Sequence, residues 1–388
     1  MHELNPVFAE LPVTIFTVMS RLATEHGAIN LGQGFPDSEG PEAIRRAAAD
    51  ALLAGPNQYP PSMGMPDLRR AVAEHNLRFH ELEVDPETEV IVTSGATEAL
   101  ADCLLALLRP GDEAIVFEPA YDSYAPIIRA AGATPRFVPL RPPDWRIDTE
   151  LLQGAFNEQT RVVIVNSPMN PTGKVFSELE LSQIAELMCE HDVIAVCDEV
   201  YEHLVFDGRS HVPLMSLPGM RERCVRIGSA GKTFSLTGWK IGYISADRAL
   251  AEVIAKAHQF ITFTSVPALQ TAVAQGLRSP ASYFTGLARD MERRRDLLVE
   301  GLEDVGFAPL PCHGTYFVTA DFRGLDAHAD DAAFCRRLTV EAGVAAIPVS
   351  AFYQPAGPAV PHHLVRFCFC KETALLEEAL RRIRAWFR

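Results

Sequence analysis

The sequence has no excess of positive charge. Its 35 lysines and arginines stand against 50 aspartates and glutamates, which gives a formal net charge of −15. Nucleic acids and anionic membranes attract basic proteins, so this balance argues against both as partners. The sequence also lacks an uncharged apolar run of about 18 residues, so we expect no transmembrane helix. Residues 1–6 contain no basic segment leading into an apolar one, so no secretory signal is expected.

Cysteine spacing typical of a metal or redox site is also missing. Eight cysteines occur without a C-x-x-C pair, and Cys368 and Cys370 alternate along one predicted strand. Four others lie in apolar surroundings typical of reduced core cysteines: Cys103, Cys189, Cys197 and Cys335. We therefore expect a cytoplasmic protein with no metal site.

What the sequence does contain is the composition of a globular protein, with 48% hydrophobic and 22% charged residues in 388. This length favours two to three domains. Strands are predicted at 90–92, 113–117, 161–166, 193–198, 224–228 and 241–245, and helices near 97–108, 123–131 and 178–191. This alternation predicts an α/β fold with a mainly parallel, doubly wound sheet.

The pattern changes towards the carboxyl end of the chain. The charged run 289–296 predicts the solvated face of a long helix and is less typical of a phosphate or nucleic-acid site. A helix near 331–342, a strand around 364–370 and a last helix at 372–387 follow. These elements predict a smaller α+β domain.

The most informative segment is 229–240, SAGKTFSLTGWK, which places Lys232 and Lys240 in a run otherwise free of charge. A buried cationic lysine costs free energy unless a partner or a reaction compensates for it. A dry pocket also lowers the pKa of the amine, as a Schiff-base lysine requires. Lys240 can serve as a point charge for a phosphate. Taken alone, the segment is equally compatible with a plain turn.

In three other segments, polar residues lie at the end of a predicted buried strand. The strand at 193–198 ends in Asp198, at the edge where open α/β sheets bind ligands, although a helix N-cap also accounts for this residue. The strand at 161–166 leads into the turn NSPMNPTGK, which turn chemistry alone can explain. After residue 92 the segment TSGATEAL leads from a strand into a helix. The first N–H groups of this helix suit an anion, although a simple strand-to-helix turn also accounts for the segment.

Together these four segments closely resemble fold-type I pyridoxal-phosphate enzymes, specifically class I aminotransferases. The resemblance runs from residue 30 to residue 369 and is strongest to the methionine and kynurenine aminotransferase branch. The branch motifs are QGFPD at 33–37, NQY at 57–59, EPAYDSY at 118–124, DEVYEH at 198–203 and GTYF at 314–317.

The resemblance implies a large domain with a mainly parallel sheet and a smaller, discontinuous α+β domain. Residues 1–40 would form the N-terminal arm and part of the small domain, 41–285 the large cofactor-binding domain and 286–388 the small C-terminal domain. It further implies pyridoxal 5′-phosphate as cofactor, amino acid and 2-oxo acid substrates, and a homodimer.

The resemblance also assigns roles to residues that contact the cofactor. Lys232 holds the aldehyde as a Schiff base and moves protons on the substrate, and Asp198 pairs with the pyridine nitrogen. Tyr201 and Asn170 hydrogen-bond the phenolic oxygen, and Tyr121 stacks on the ring. The phosphate cradle consists of Ala96, Thr97, Ser229 and Lys240.

Substrate contacts follow from the same resemblance. Arg366 binds the α-carboxylate together with Asn170 and the Gly34 backbone, although an arginine paired with an acid at a strand edge is the alternative. The side-chain pocket consists of Phe16, Phe263 and a Tyr59 donated across the dimer interface. Core packing is the alternative for the two phenylalanines.

The pocket sequence favours a large, uncharged substrate side chain. No lysine or arginine lies between Lys256 and Arg278, so a distal carboxylate would lack a fixed cation there. Thr264 stands where relatives that favour kynurenine can carry histidine, and this favours methionine as donor.

Other functions stay open from the sequence. Within the family they are kynurenine or succinyldiaminopimelate transamination and β-elimination from cysteine S-conjugates. A cofactor-sensing regulator with this fold would need a helix-turn-helix segment. The aminotransferase-like pattern begins within the first thirty residues, so we expect no room for one.

Overall fold

The computed structural model describes residue 2 and the ranges 4–354 and 360–388. The helices of these ranges are α1 (Pro6–Ala9), α2 (Ile15–Glu25), α3 (Glu42–Ala54), α4 (Pro66–His80), α5 (Ala96–Leu107), α6 (Tyr124–Ala130), α7 (Thr149–Ala155), α8 (Glu178–Glu190), α9 (Ala230–Thr233), α10 (Arg248–Ile261), α11 (Pro267–Leu277), α12 (Ala281–Val305), α13 (Asp331–Glu341) and α14 (Thr373–Trp386). None of the helices so described is long and apolar enough to cross a bilayer.

A seven-stranded sheet forms the centre of the fold. Its strands are β2 (Val90–Thr93), β3 (Glu113–Glu118), β4 (Thr134–Pro139), β5 (Thr160–Asn166), β6 (Ile194–Asp198), β7 (Cys224–Ser229) and β8 (Gly242–Ala246), in the spatial order β2-β8-β7-β6-β5-β3-β4. The five strands from β7 to β4 run parallel, and β8 pairs antiparallel with both β2 and β7. Helices cover both faces, so the central strands are continuous apolar runs.

The predicted mainly parallel α/β sheet is therefore confirmed, with one strand missed. No strand was predicted at β4, an edge strand in which exposed residues alternate with partly buried ones up to the buried Val138. Its two prolines are tolerated because an edge strand needs fewer ladder hydrogen bonds.

The remaining strands form two small sheets. The remaining strands are β1 (Ile29–Asn30), β9 (Ala308–Pro309), β10 (Phe317–Asp321), β11 (Val344–Ala345), β12 (Ile347–Pro348) and β13 (Leu364–Cys368). Strands β12, β13, β10 and β9 form an antiparallel sheet, and β1 pairs in parallel with β11. The N-terminal segment thus contacts the C-terminal part of the chain, while the division at residues 40 and 285 stays a prediction.

Two sequence-based expectations need correction. Cys189, expected in the core, is exposed on α8, because it lies on the face of this amphipathic helix that turns away from the sheet. The charged run 289–296 lies on α12 as expected, but Arg295 is buried. Its two terminal nitrogens each donate a 2.8 Å hydrogen bond to the carboxylate of Asp207, which pairs the charge.

The sheet determines where functional side chains can lie. Strands β5, β6 and β7 end side by side, and the register pairs Asn166 with Asp198. The side chain of Asn166 donates a 2.8 Å hydrogen bond to the Asp198 carbonyl, which fixes the end of β6. The carboxyl ends of parallel strands in an open α/β sheet form the usual ligand-binding edge.

Candidate active site

A cavity of about 460 Å³ lies at this edge of the sheet. The structure brings together in its wall most of the residues predicted for the site: Phe16, Gly34, Ala96, Thr97, Tyr121, Asn170, Asp198, Tyr201, Lys232 and Arg366. The predicted residues Ser229, Lys240, Tyr59 and Phe263 lie outside this wall.

Lys232 lies on α9, the short helix that follows β7. Its Nζ lies 2.8 Å from the Tyr316 hydroxyl and 3.4 Å from the Gly34 carbonyl oxygen. Tyr316 in turn donates a 2.6 Å hydrogen bond to the Gly34 carbonyl, so its oxygen accepts from the amine. Burial lowers the pKa of Lys232, against the opposing effect of nearby groups that include Asp198. The site therefore contains a positioned amine that loses its proton more readily than a surface lysine.

Asp198 is a buried carboxylate at the end of β6. Its Oδ2 accepts a 2.6 Å hydrogen bond from the Tyr124 hydroxyl. Burial raises the pKa of Asp198, and the hydrogen bond from Tyr124 opposes this rise. Because burial disfavours the charged form of Asp198, a cation bound in the cavity would be stabilised by this carboxylate and would stabilise it in turn.

An anion cradle lies where β2 leads into α5. Gly95 has φ +85°, a conformation that favours glycine. A Cβ at this position would lie 3.2 Å from Nζ of Lys240, so that ammonium approaches the N-terminus of α5. Ala96 and Thr97 are the first residues of this helix, whose N-terminal end carries partial positive charge. Ser229 is buried at the end of β7, which β8 separates from β2 in the sheet.

Arg366 lies on β13 and is almost completely buried. Its Nη1 donates to Oδ1 of Asn170 at 2.7 Å and its Nη2 donates to the Gly32 carbonyl at 2.6 Å. The guanidinium lies 3.9 Å from the centre of the Phe317 ring. Burial lowers its pKa to about 10, which leaves it cationic at neutral pH. A fixed, planar cation of this kind suits a carboxylate.

Aromatic rings and a glycine shape the rest of the wall. Tyr201 is buried with its ring centre 5.0 Å from that of Tyr316, while Tyr121 is half-buried. The ring of Phe16 packs edge-on against the ring of Phe352 and lies beside Arg366. A Cβ at Gly34 would overlap the rings of Phe317 and Tyr316, so only glycine fits there.

Tyr59 and Phe263 lie together on the surface. Their ring centres are 5.3 Å apart, and Tyr59 is 84% exposed. Neither lines the cavity of its own chain, as far as the described ranges show. Their substrate contacts stay a prediction that requires a second copy of the chain.

Sequence reasoning missed several residues of the site. Tyr124 and Tyr316 contact Asp198 and Lys232, and both lie in motifs that the sequence analysis singled out. The signal was present, but a motif with several aromatic residues does not say which ring faces the cavity. Further lining residues that went unpredicted are Thr14, Gln33, Asp122, Thr237 and Phe317.

Comparisons with known proteins agree with this geometry. A family model described as aminotransferase class I and II matches residues 26–383. The chain is 46% identical over 378 residues to a probable N-succinyldiaminopimelate aminotransferase of Mycobacterium tuberculosis, with 95% of each chain covered. It is 40% identical to a methionine aminotransferase of Escherichia coli, covering 97% of this chain and 96% of the relative. It is 37% identical to human kynurenine–oxoglutarate transaminase 3, covering 97% of this chain and 88% of the relative.

A solved structure of N-succinyldiaminopimelate aminotransferase from Mycobacterium tuberculosis superposes with a TM-score of 0.95 at 44% identity. The superposition covers 99% of this chain and 100% of that one. The resemblance in sequence therefore extends to the whole fold.

Pyridoxal phosphate is the cofactor of this family, and the donor set of the cavity fits it. The cradle at Gly95 and Lys240 suits a phosphate, the amine of Lys232 suits an aldehyde, and the buried Asp198 suits a protonated ring nitrogen. The chain belongs to the aminotransferase class I and II family and is a pyridoxal-phosphate-dependent aminotransferase.

Proposed function

We propose that this aminotransferase moves the α-amino group of an amino acid with a large, uncharged side chain to a 2-oxo acid, with methionine as the favoured donor. The charge of the cavity wall carries this proposal. Within the described ranges its cations are Lys232 and Arg366, and Asp122 adds a carboxylate. One cation serves the cofactor and the other the α-carboxylate, so an anionic substrate side chain would find no cationic partner in this wall.

Arg366 is proposed to bind the α-carboxylate of both substrates. Its terminal nitrogens are held by Asn170 and the Gly32 carbonyl, and Phe317 fixes the plane of the guanidinium. A substrate bound there places its α-carbon towards the Lys232 side of the same cavity. Apolar side chains of the wall, Phe16 and Leu100, would contact the substrate side chain.

The proposed chemistry uses few protein groups. When bound, the cofactor ring withdraws electrons from the substrate α-carbon. The amine of Lys232, whose pKa burial lowers, takes the proton from that carbon and returns a proton during the reverse half-reaction. The hydroxyl of Tyr316 positions this amine. Donor and acceptor use the site in turn, which is a ping-pong scheme.

The other predicted contacts complete the proposed cofactor site. The hydroxyl of Tyr124 stabilises the ionised form of Asp198, which would pair with the protonated ring nitrogen. The proposed phenolic-oxygen contacts are Tyr201 and Asn170, the stacking ring is Tyr121, and the phosphate contacts are Ala96, Thr97, Ser229 and Lys240.

We further propose a cytoplasmic homodimer in which Tyr59 reaches the site of the other copy. The exposed aromatic residues support this arrangement. Tyr59 and Phe260 are 84% and 86% exposed, and Phe263 and Val266 lie on the same surface segment with part of their area exposed. Such a concentration of exposed apolar side chains marks an association surface.

A second candidate donor is N-succinyldiaminopimelate, which the 46% identical relative favours. A second cavity of about 490 Å³ shares Thr14 and Asp122 with the first and therefore lies beside it. It offers length for an extended substrate, and the imidazole of His362 lies in its wall as a possible hydrogen-bond donor.

A panel of donors tests the substrate proposal. With 2-oxoglutarate as acceptor, we expect kcat/KM for methionine to exceed that for aspartate by about 100-fold, because an unpaired buried carboxylate costs about 3 kcal/mol. Leucine, phenylalanine and kynurenine should lie near methionine. Higher kcat/KM for aspartate or glutamate would refute the charge argument, and a dominant N-succinyldiaminopimelate activity would select the second candidate.

Replacing the reactive amine tests the mechanism. We expect Lys232→Ala to lower kcat by about 10³-fold or more, because general acid–base catalysis alone contributes about 10²- to 10⁴-fold. The near-visible absorbance of lysine-bound cofactor should disappear as well. Lys256→Ala, which removes an exposed lysine, is the control and should behave like wild type. Near-normal turnover in Lys232→Ala would rule out the mechanism.

Replacing the carboxylate-binding arginine separates substrate binding from cofactor binding. We expect Arg366→Lys to lower kcat/KM by about 100-fold, because the variant loses the two-pronged contact to the carboxylate. Cofactor content should stay at the wild-type level. The control Arg381→Lys changes an exposed arginine on α14. Unchanged kinetics in Arg366→Lys would mean that the carboxylate binds elsewhere.

Removing the hydroxyl that contacts Asp198 tests the role of this carboxylate. Tyr124→Phe raises the pKa of Asp198 further, so we expect cofactor affinity to fall by about 10-fold or more, the value of a hydrogen bond to a charged group. Equilibrium dialysis measures this affinity. Tyr353→Phe is the control, because the buried Tyr353 hydroxyl has no hydrogen-bond partner within the described ranges. Equal affinity in Tyr124→Phe and wild type would contradict the assignment.

A further inference from the structure

The segment from Asp198 to His203 faces two different environments. Asp198, Val200 and Tyr201 line the cavity, whereas the side chains of Glu199, Glu202 and His203 extend into a buried group of ionisable residues. We name this group the imidazole cluster, and it consists of His75, His80, Glu199, Glu202, His203, His211 and Arg226.

Three donor atoms of the imidazole cluster converge on one point. The Nε2 atoms of His75 and His203 lie 2.8 Å apart, and Oε1 of Glu202 lies 3.8 Å and 4.0 Å from them. In a tetrahedral zinc site with bonds of about 2.0 Å, ligand atoms lie about 3.3 Å apart. Small side-chain rotations therefore convert the observed arrangement into a metal-binding one.

Hydrogen bonds hold these three atoms but leave lone pairs for a metal ion. The Oε2 atom of Glu202 accepts from His80 at 2.6 Å and from Arg226 at 3.0 Å, whereas Oε1 accepts a long 3.5 Å hydrogen bond from the Tyr243 hydroxyl and keeps a lone pair for another ligand. The facing Nε2 atoms of His75 and His203 share at most one proton, so at least one of them has a lone pair.

The charge of the cluster also favours a cation. Two buried carboxylates, Glu199 and Glu202, contact the same guanidinium of Arg226. One guanidinium carries a single charge against two carboxylates, whose other hydrogen-bond partners are the imidazoles of His80 and His211, and a buried charge without compensation costs free energy. A bound divalent ion would supply the missing positive charge.

Aromatic packing holds the two imidazoles in place. The ring of Phe79 lies 4.6 Å from that of His75 and 4.9 Å from that of His203. Phe284 contacts the same two imidazoles at 5.3 Å and 4.5 Å. A rigid apolar shell of this kind lowers the entropy that a site loses on metal binding and limits access of water.

We propose that His75, Glu202 and His203 bind a transition-metal cation of the zinc class, with water as fourth ligand. His203 is the side from which the ion enters, because its side chain is 9% exposed against 2% for His75 and 4% for Glu202. The ion joins α4 to the segment that carries Asp198 and Tyr201. Its role is to stabilise this segment, and it takes no part in the chemistry.

A second group of possible ligands, Glu98, Asp102 and His258, does not share these properties. Nδ1 of His258 lies 2.8 Å from Glu98 and 3.4 Å from Asp102. Burial lowers the pKa of His258, but these two carboxylates raise it to about 10, so this imidazole is cationic. A protonated imidazole has no lone pair for a metal, and His258 therefore serves as a control position.

Metal content of the holoenzyme tests the proposal. We expect the wild-type holoenzyme, equilibrated with zinc chloride and passed through a desalting column, to retain one zinc ion per chain. Cobalt chloride in place of zinc should give the intense visible bands of tetrahedral Co²⁺. Retained metal should also raise Tm. Absence of stoichiometric zinc, or the pale spectrum of octahedral Co²⁺, would overturn the proposal without any variant.

Variants identify the ligands. We expect His75→Gln and His203→Gln to lose the retained zinc and the metal-dependent rise in Tm, and His258→Gln to keep both. His80→Gln leaves all three ligands in place but removes a hydrogen bond to Glu202, so zinc affinity should fall by about 10- to 100-fold. Equal zinc retention by folded His203→Gln and wild type would show that the metal binds elsewhere, which also refutes the proposal.

Discussion

The site depends on a buried carboxylate whose side chain is held by a tyrosine hydroxyl. Asp198 ends the central strand β6, where its backbone is fixed by Asn166 and its side chain by Tyr124. Burial alone would favour the neutral acid, and the hydroxyl of Tyr124 opposes this effect. The protein thereby stores electrostatic free energy that a positively charged ring can use, and the neighbouring amine of Lys232 lies in the same cavity.

The sequence predicted the parts of the fold that local physics determines. Buried strands such as β5 and β6 are unbroken apolar runs, and polar residues mark their ends, so both the strands and Asp198 were predicted correctly in position. Strand β4 was missed because its residues alternate in exposure and include prolines. The antiparallel direction of β8 depends on chain connections that no local pattern encodes.

Side-chain contacts between distant segments were beyond prediction. The contact of Lys232 with Tyr316 joins two motifs that were each recognised alone. The imidazole cluster combines residues 128 positions apart, so no ligand spacing could have indicated it. The predicted contact of Tyr59 crosses a dimer interface, so its exposed position in a single chain leaves that contact a prediction.

One contact connects the site with the synthesis of the chain. The guanidinium of Arg366 donates to the carbonyl of Gly32, a residue 334 positions earlier, and the amine of Lys371 binds Asp37 in the same N-terminal segment. The arginine end of the cavity therefore forms only after residue 366 has left the ribosome. Until then the N-terminal segment has no arginine to hold, and the nascent chain cannot bind an amino acid at this site.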